Sequence, residues 1–145
     1  MKVITMTIIL SILLIISIID LKTQTIPDQL NALLFVMGIW SSFALQGITL
    51  MERFLGIFVV SIPLIVVAFL FSGGIGGGDI KLMASSGVFL GVSGNIAAAF
   101  IGLFLSGIYG IVLLLTRRAS RKDYFSLGPF LCLGIAAIFL KINLL

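Results

Sequence analysis

Long apolar runs constrain the fold of this chain more than any other feature. Six of them follow one another, at residues 3–19, 30–45, 54–71, 80–90, 96–116 and 127–145. About 20 apolar residues cross the hydrocarbon layer of a membrane, and backbone groups inside lipid must be hydrogen-bonded within their own helix. Charged residues make up 10% of the chain, against roughly 25% in soluble domains. We therefore predict one all-α, polytopic membrane domain, residues 1–145, with about six transmembrane helices.

The residue types that are missing exclude several kinds of chemistry. The chain contains no histidine and a single cysteine, Cys132. Histidine-based metal sites, histidine-assisted nucleophiles and CxxC zinc sites are therefore excluded. Acid–base chemistry must come from carboxylates, lysines or tyrosines. We predict no metal, no cofactor, and a small buried apolar role for Cys132.

The basic residues predict how the chain is oriented in the membrane. Six spans would place six basic residues on one side, namely Lys22, Lys81, Arg117, Arg118, Arg121 and Lys122. The other side would hold Lys2, Arg53 and Lys141 together with both termini. Cytoplasmic loops carry an excess of lysine and arginine, so the first side is expected in the cytoplasm. The net charge of +4 is attributed to this asymmetry and not to nucleic-acid binding. If the short fourth run were re-entrant, the C-terminal part would lie on the opposite side.

One acidic residue, Asp79, lies between a glycine-rich stretch and an apolar run. The stretch at 76–81 reads GGGDIK. A carboxylate inside a membrane costs about 2.5–3.5 kcal/mol, so such an acid is first treated as functional. Asp79 could instead simply cap a helix, but capping does not explain five costly glycines at 73, 74 and 76–78. A phosphate-binding loop is disfavoured because the GK[ST] ending is absent and an acid would repel phosphate.

A second acidic residue, Asp20, directly follows the first apolar run. It could be the first polar residue of a loop, although a negative charge is unfavourable at a helix C-terminus. The predicted topology puts Asp20 and Asp79 on the same side at a similar depth. Two carboxyl groups brought close together share a proton, and such a pair can activate a water molecule and protonate a scissile carbonyl.

Three sequence motifs together resemble those of a known family. They are DLK at 20–22 followed by IPD at 26–28, GGGDIK at 76–81, and LGPFL at 127–131. In order, spacing and number of spans they are similar to the prepilin and preflagellin peptidases, which are membrane aspartic endopeptidases with a GxGD motif. The resemblance covers nearly the whole chain and implies a catalytic pair at Asp20 and Asp79.

The resemblance also implies a substrate and a location. Members cut the precursors of type IV pilin-like or flagellin-like subunits at the cytoplasmic face of the cell membrane. The cut follows a glycine, between a short basic leader and a hydrophobic helix. Longer bifunctional members add a segment, often with paired CxxC motifs, that is linked to N-methylation. A chain with one cysteine resembles the short form, so peptidase activity is implied and methyltransferase activity is not.

Four further residues are expected to support the site. Gly76 and Gly78 leave room for the extended backbone of a substrate. Lys22 and Lys81 each follow an aspartate by two residues, and they either tune the carboxyl pair and the headgroup boundary or act only as topogenic charges.

Two other functions remain open at this point. The chain could be a small proton- or cation-coupled transporter or channel, in which the aspartates bind the ion and the glycine turn lines a cavity. It could also be a non-catalytic membrane subunit of a secretion assembly. The sequence does not predict an oligomeric state.

Overall fold

The computed structural model of this chain describes residues 1–44, 47–71, 75–116 and 126–144. Within these ranges it contains helices and no strand, in the order α1 (Lys2–Thr23), α2 (Asp28–Ala44), α3 (Leu50–Leu70), α4 (Gly77–Leu115) and α5 (Gly128–Leu144). The all-α prediction is confirmed. The prediction of about six helices is wrong, because the fourth and fifth apolar runs both belong to α4. The basic loop predicted at 117–123 and the glycines at 73 and 74 lie outside the described residues.

A single residue, Gly91, reverses the direction of α4. Its backbone has φ 69° and ψ −171°, in contrast to the helical residues around it. The side-chain Nδ2 of Asn95 donates a hydrogen bond of 3.0 Å to the carbonyl of Met83, although the two residues would lie about 18 Å apart along a straight helix. We therefore divide α4 into a first arm, residues 77–90, and a second arm, residues 92–115. Glycine suits this turn because it adopts positive φ at no steric cost, so the chain turns between the predicted runs at 80–90 and 96–116 without a separate loop.

The side chain of Asn95 joins the two arms of α4 to α3. It is fully buried, and its Nδ2 also donates to the carbonyl of Gly56 at 2.8 Å. Its Oδ1 accepts a hydrogen bond of 2.8 Å from the hydroxyl of Ser86. A buried amide with its donors and acceptor engaged is stable in an apolar core, whereas an unpaired one is not.

Glycines let the helix backbones approach one another at two places. On α3, a Cβ atom at Gly56 would lie 2.5 Å from the carbonyl oxygen of Gly87. On the second arm of α4, a Cβ atom at Gly102 would lie 2.9 Å from the Cα atom of Leu131 in α5. Small residues are typical of tightly packed helices in membranes. These contacts fix α3 against the first arm and α5 against the second.

The helix α4 lies at the centre of the bundle. It packs against α2, α3 and α5, while α1 packs against α2 and α5. One end of the bundle is formed by the C-terminus of α1 and the N-termini of α2, α4 and α5. We call it the carboxyl end, after the side-chain carboxyl groups of Asp20 and Asp79 that lie there. The contacts that define it are the ion pair between Asp28 and Lys81 and the hydrogen bond from Gly128 to Asp20.

The outer surface of the bundle is strongly apolar. In the described part of the chain, α1, α3 and α4 are long and apolar enough to cross a membrane, and α5 is a shorter apolar helix. Large exposed side chains include Phe43, Leu50, Phe69, Phe100 and Leu115. Soluble monomers rarely expose apolar patches of this extent, so this surface fits a lipid environment.

One basic residue does not lie where the sequence suggested. Arg53 was counted as a loop charge, but it belongs to α3 and is 5% exposed. Its Nη1 donates hydrogen bonds to the carbonyl of Val88 at 3.0 Å and to the hydroxyl of Ser41 at 3.3 Å. It therefore ties α2, α3 and α4 together at the end opposite the carboxyl end.

We predict that Asn95→Leu destabilises the bundle. The substitution keeps the size of the side chain but removes three buried hydrogen bonds, each of which contributes about 1 kcal/mol. The free energy of unfolding in detergent should fall by roughly 2–4 kcal/mol. The matched control is Asn143→Leu, because among the described residues the side chain of Asn143 bonds only within its own helix, to the carbonyl of Phe139. Equal stabilities for the two variants would contradict the role given to Asn95.

Candidate active site

Asp20 lies inside the last turn of α1, not in a loop. The helix continues to Thr23 and ends at Gln24, whose left-handed backbone donates its N–H to the carbonyl of Asp20 at 2.8 Å. The side chain of Asp20 is buried, with 4% exposure. Its Oδ2 accepts a hydrogen bond of 3.0 Å from the backbone N–H of Gly128 and another from the hydroxyl of Ser126.

The start of α5 offsets the unfavourable position of Asp20 at the end of α1. Gly128 is the first residue of α5, and the first N–H groups of a helix are free to bind an anion at the positive end of the helix dipole. A Cβ atom at Gly128 would lie 2.9 Å from Cγ of Asp20. The contact between carboxylate and helix terminus therefore requires glycine at this position.

Asp79 lies in the first turn of α4 and is 8% exposed. The N-cap of the helix is Gly76, without a side-chain hydrogen bond, so Asp79 is not the capping residue. Its Oδ1 is buried and has no hydrogen-bond partner among the described residues. Its Oδ2 faces Gly76, where a Cβ atom would lie 3.2 Å away. The backbone of Gly76 donates a hydrogen bond to the carboxyl group of Asp79, as in a reciprocal helix cap, but this contact does not account for the buried Oδ1.

The two aspartates lie close enough for their charges to interact. The charge of Asp20 acts on Asp79, and the charges of both act on Cys132, which is buried as expected. No Cα atom of α1 lies within 8 Å of one in α4, so the two helices do not touch through their backbones at this point.

The side chain of Ile26 fills the space between the neighbours of the two aspartates. A Cβ atom at Gly78 would lie 2.9 Å from Cβ of Ile26, and one at Gly128 would lie 3.2 Å from its Cδ1. Gly78 precedes Asp79 on α4, and Gly128 donates to Asp20. The segment between α1 and α2 is therefore packed into the candidate site, and Gly78 faces Ile26 instead of open space.

The two predicted lysines differ in their surroundings. The Nζ of Lys81 forms an ion pair with Oδ2 of Asp28 at 2.7 Å, and such exposed pairs contribute at most about 1 kcal/mol. Lys81 therefore joins α2 to α4 and does not bond Asp79. Lys22 is exposed in the last turn of α1, where a positive charge favours the helix dipole.

Two polar residues at the carboxyl end were not predicted from the sequence. Ser126 donates to Asp20, which lies 106 residues away along the chain. Nδ2 of Asn31 in α2 donates a hydrogen bond of 3.2 Å to the carbonyl of Gly78. The backbone carbonyl of Asn31 accepts a hydrogen bond of 3.0 Å from the hydroxyl of Ser85. No local pattern marks either residue, because each acts on a partner that only the tertiary fold brings near.

The structure offers no ready place for a metal ion. No group of three or more histidine, cysteine or acidic side chains with suitable geometry lies in the part of the chain that it describes. The prediction of a metal-free reaction stays a prediction.

The chain has relatives among known proteins. Residues 7–111 match the model of the Type IV leader peptidase family, a range that includes Asp20 and Asp79. The prepilin leader peptidase/N-methyltransferase of Bacillus subtilis is 30% identical over 129 residues, which cover 86% of this chain and 50% of the relative. The protein of the same name from Pectobacterium carotovorum is 32% identical over 137 residues, covering 88% of this chain and 47% of the relative.

A third relative extends the same pattern. The prepilin leader peptidase/N-methyltransferase of Neisseria gonorrhoeae is 32% identical over 128 residues, covering 83% of this chain and 43% of the relative. The chain thus spans about half the length of the curated relatives it matches. No solved structure matches it significantly. Because the family model covers most of its length, the chain belongs to the Type IV leader peptidase family.

Proposed function

We propose that this chain is a membrane aspartic endopeptidase that removes the leader from type IV prepilin-like or preflagellin-like precursors. Asp20 and Asp79 would form its carboxyl pair. The observation that carries the proposal is the burial of these two acids at the carboxyl end of the bundle, in a member of a leader peptidase family. The other acids in the described ranges, Asp28 and Glu52, are exposed.

The surroundings of the two carboxyl groups favour different roles for them. Oδ2 of Asp20 accepts hydrogen bonds from Ser126 and Gly128, which stabilises a charged carboxylate. Asp79 has a backbone donor at Gly76, but its buried Oδ1 has no partner among the described residues, and this poorer set of donors favours the protonated acid. We therefore assign Asp20 as the base that takes a proton from water and Asp79 as the acid that protonates the scissile carbonyl oxygen.

The proposed reaction consumes one water molecule and balances without a cofactor. The water oxygen bonds to the scissile carbonyl carbon while its proton passes to Asp20, and the carbonyl oxygen takes the proton of Asp79. The tetrahedral intermediate then collapses: one of its hydroxyl groups returns a proton to Asp79, the C–N bond breaks, and Asp20 gives its proton to the departing amine. The products are the free leader and the mature subunit. Methyl transfer, which the names of the relatives include, is not part of this proposal.

Charge supports a cytoplasmic position for the site. Lys22 and Lys81 lie at the carboxyl end, whereas Lys2 and Lys141 lie at the opposite end, where α1 begins and α5 ends. Arg53 is buried and so no longer counts as a loop charge for that opposite side. The lysines at the two ends are therefore equal in number, and the excess that is typical of a cytoplasmic face comes from the four basic residues that the sequence has between α4 and α5, namely Arg117, Arg118, Arg121 and Lys122. We infer that the chain crosses the cell membrane several times, with the carboxyl end towards the cytoplasm.

We predict that Asp20→Asn and Asp79→Asn each abolish leader cleavage. Loss of a general acid or base slows a reaction by about 100-fold or more, so cleavage of a prepilin-like precursor should fall by at least that factor. The measurement is the conversion of the precursor to its shorter product by membranes that contain equal amounts of each variant. Asp28→Asn is the matched control, because Asp28 is an exposed aspartate at the same end of the bundle. Robust cleavage by either of the first two variants would refute the assigned pair.

We predict that Ser126→Ala lowers the rate of cleavage by about tenfold, since a hydrogen bond to a charged group contributes about 1.5–3 kcal/mol. The effect should fall on kcat and leave KM unchanged, because Ser126 bonds Asp20 and is not assigned to the substrate. Ser126→Thr keeps the hydroxyl and should restore most of the rate. If the threonine variant is as slow as the alanine variant, the hydroxyl is not what matters at this position.

We predict that Gly128→Ala blocks cleavage without unfolding the bundle. The added methyl group would collide with the carboxyl group of Asp20, whereas Gly107→Ala is a control that meets no atom within 4 Å. Both variants should be recovered folded from the membrane, and only Gly128→Ala should leave the precursor uncut. Normal cleavage by Gly128→Ala would show that the contact between Asp20 and the start of α5 is not needed.

A further inference from the structure

An apolar groove runs along the outside of the bundle between α1 and α5. Its volume is about 340 Å³. On α1 it is lined by residues from Leu10 to Ile18, and on α5 by residues from Pro129 to Ala136. The lined stretch of α1 is about 12 Å long at the rise of an α-helix. This length corresponds to about two turns of a helix lying alongside.

One end of the groove lies within one turn of α1 from Asp20. Ser17, which lines it, precedes Asp20 by three residues and so lies on the same face of α1. On the other wall, Pro129 directly follows Gly128, whose N–H bonds the carboxylate of Asp20. Cys132, also in the lining, lies close enough to both aspartates for their charges to act on it. The groove is therefore adjacent to the Asp20 side of the candidate active site.

A second apolar groove gives a comparison within the same molecule. It lies between α3 and the start of the second arm of α4, has a volume of about 420 Å³, and is lined by residues that include Phe58, Val59 and Val92. Val92 follows the turn at Gly91, which is about 18 Å from Asp79 along the first arm. This groove is the larger of the two, but it lies at the wrong end of the bundle to present a peptide to the aspartates.

We propose that the groove between α1 and α5 holds the apolar helix of the precursor, with the scissile bond placed beyond its Asp20 end. This inference rests on the proposed leader peptidase function. The scissile bond then lies where the substrate chain passes from the apolar helix, held in the groove, to the polar leader outside it. Leu14 and Leu133, which are 61% and 58% exposed, offer the groove's apolar contacts to an incoming helix. The usual occupant of such a face, a lipid chain, would be displaced by the substrate.

Photo-crosslinking tests this docking site. Benzoyl-phenylalanine is introduced at Leu14 in the groove between α1 and α5, or at Phe58 in the other groove, which is also exposed. Each substitution is combined with Asp79→Asn, so that the precursor stays uncut, and the full chain is irradiated in lipid vesicles with a prepilin-like precursor. We expect at least about tenfold more crosslinked precursor from Leu14 than from Phe58.

The outcomes separate this inference from the proposed function. Cleavage by the unmodified chain, together with crosslinks mainly from Leu14, supports both. Cleavage with crosslinks mainly from Phe58, equal from the two positions, or to lipid alone overturns the docking site and leaves the peptidase function standing. If the unmodified chain does not cleave the precursor, both proposals fail.

A steric variant provides a second measurement. Ala136→Phe fills the groove at a small residue of its α5 wall, and Val59→Phe is the matched change in the other groove. We expect Ala136→Phe to raise KM for the precursor by about tenfold or more with little change in kcat, and Val59→Phe to change neither. The same KM for both variants would overturn the docking site.

Discussion

The buried amide of Asn95 maintains the reversal of α4, and the arrangement of the other helices depends on that reversal. The hydrogen bonds from Asn95 to Met83 and Gly56 join the two arms of α4 to α3. Because the second arm turns back beside the first, α5 can pack against it at Gly102. This packing brings the N-terminus of α5 to the end of α1. The surroundings of Asp20 thus depend on a polar contact at the opposite end of the bundle.

The candidate site is built from helix ends. A carboxylate at the C-terminus of α1 is unfavourable in isolation, and the first N–H of α5 together with Ser126 offsets that cost. The carboxyl group of Asp79 has no matching donors for its Oδ1 in the described residues. Two acids of the same type therefore experience different surroundings, which is the usual way for one protein to obtain an acid and a base from a single residue type.

Much of the helical architecture could be predicted from the sequence, because apolar runs of this length have few other ways to satisfy their backbone groups. The pattern also identified Asp20 and Asp79 as acids in costly positions, and both are buried. The division between the apolar runs at 80–90 and 96–116 predicted where the chain turns, but not that a single glycine, Gly91, makes the turn within α4.

The contacts of individual polar side chains could not be predicted. Ser126 was missed because its partner lies far away in the sequence. Lys81 follows Asp79 closely, yet it pairs with Asp28, since residues two positions apart on a helix point in different directions. The sequence also offered Asp79 as the residue that caps the helix. The helix begins at Gly77, so Asp79 lies in the first turn and not at the cap.

The second arm of α4 is longer than the first and extends past the level of Asp20. Gly102 of the second arm lies beside Leu131 near the start of α5, which is the level of Asp20. From there the second arm continues to Leu115, about 20 Å further at the helical rise. Its exposed side chains over that distance are apolar, among them Phe104, Ile111 and Leu115. One side of the carboxyl end is therefore an apolar surface, and we expect water to approach the two aspartates from the other sides.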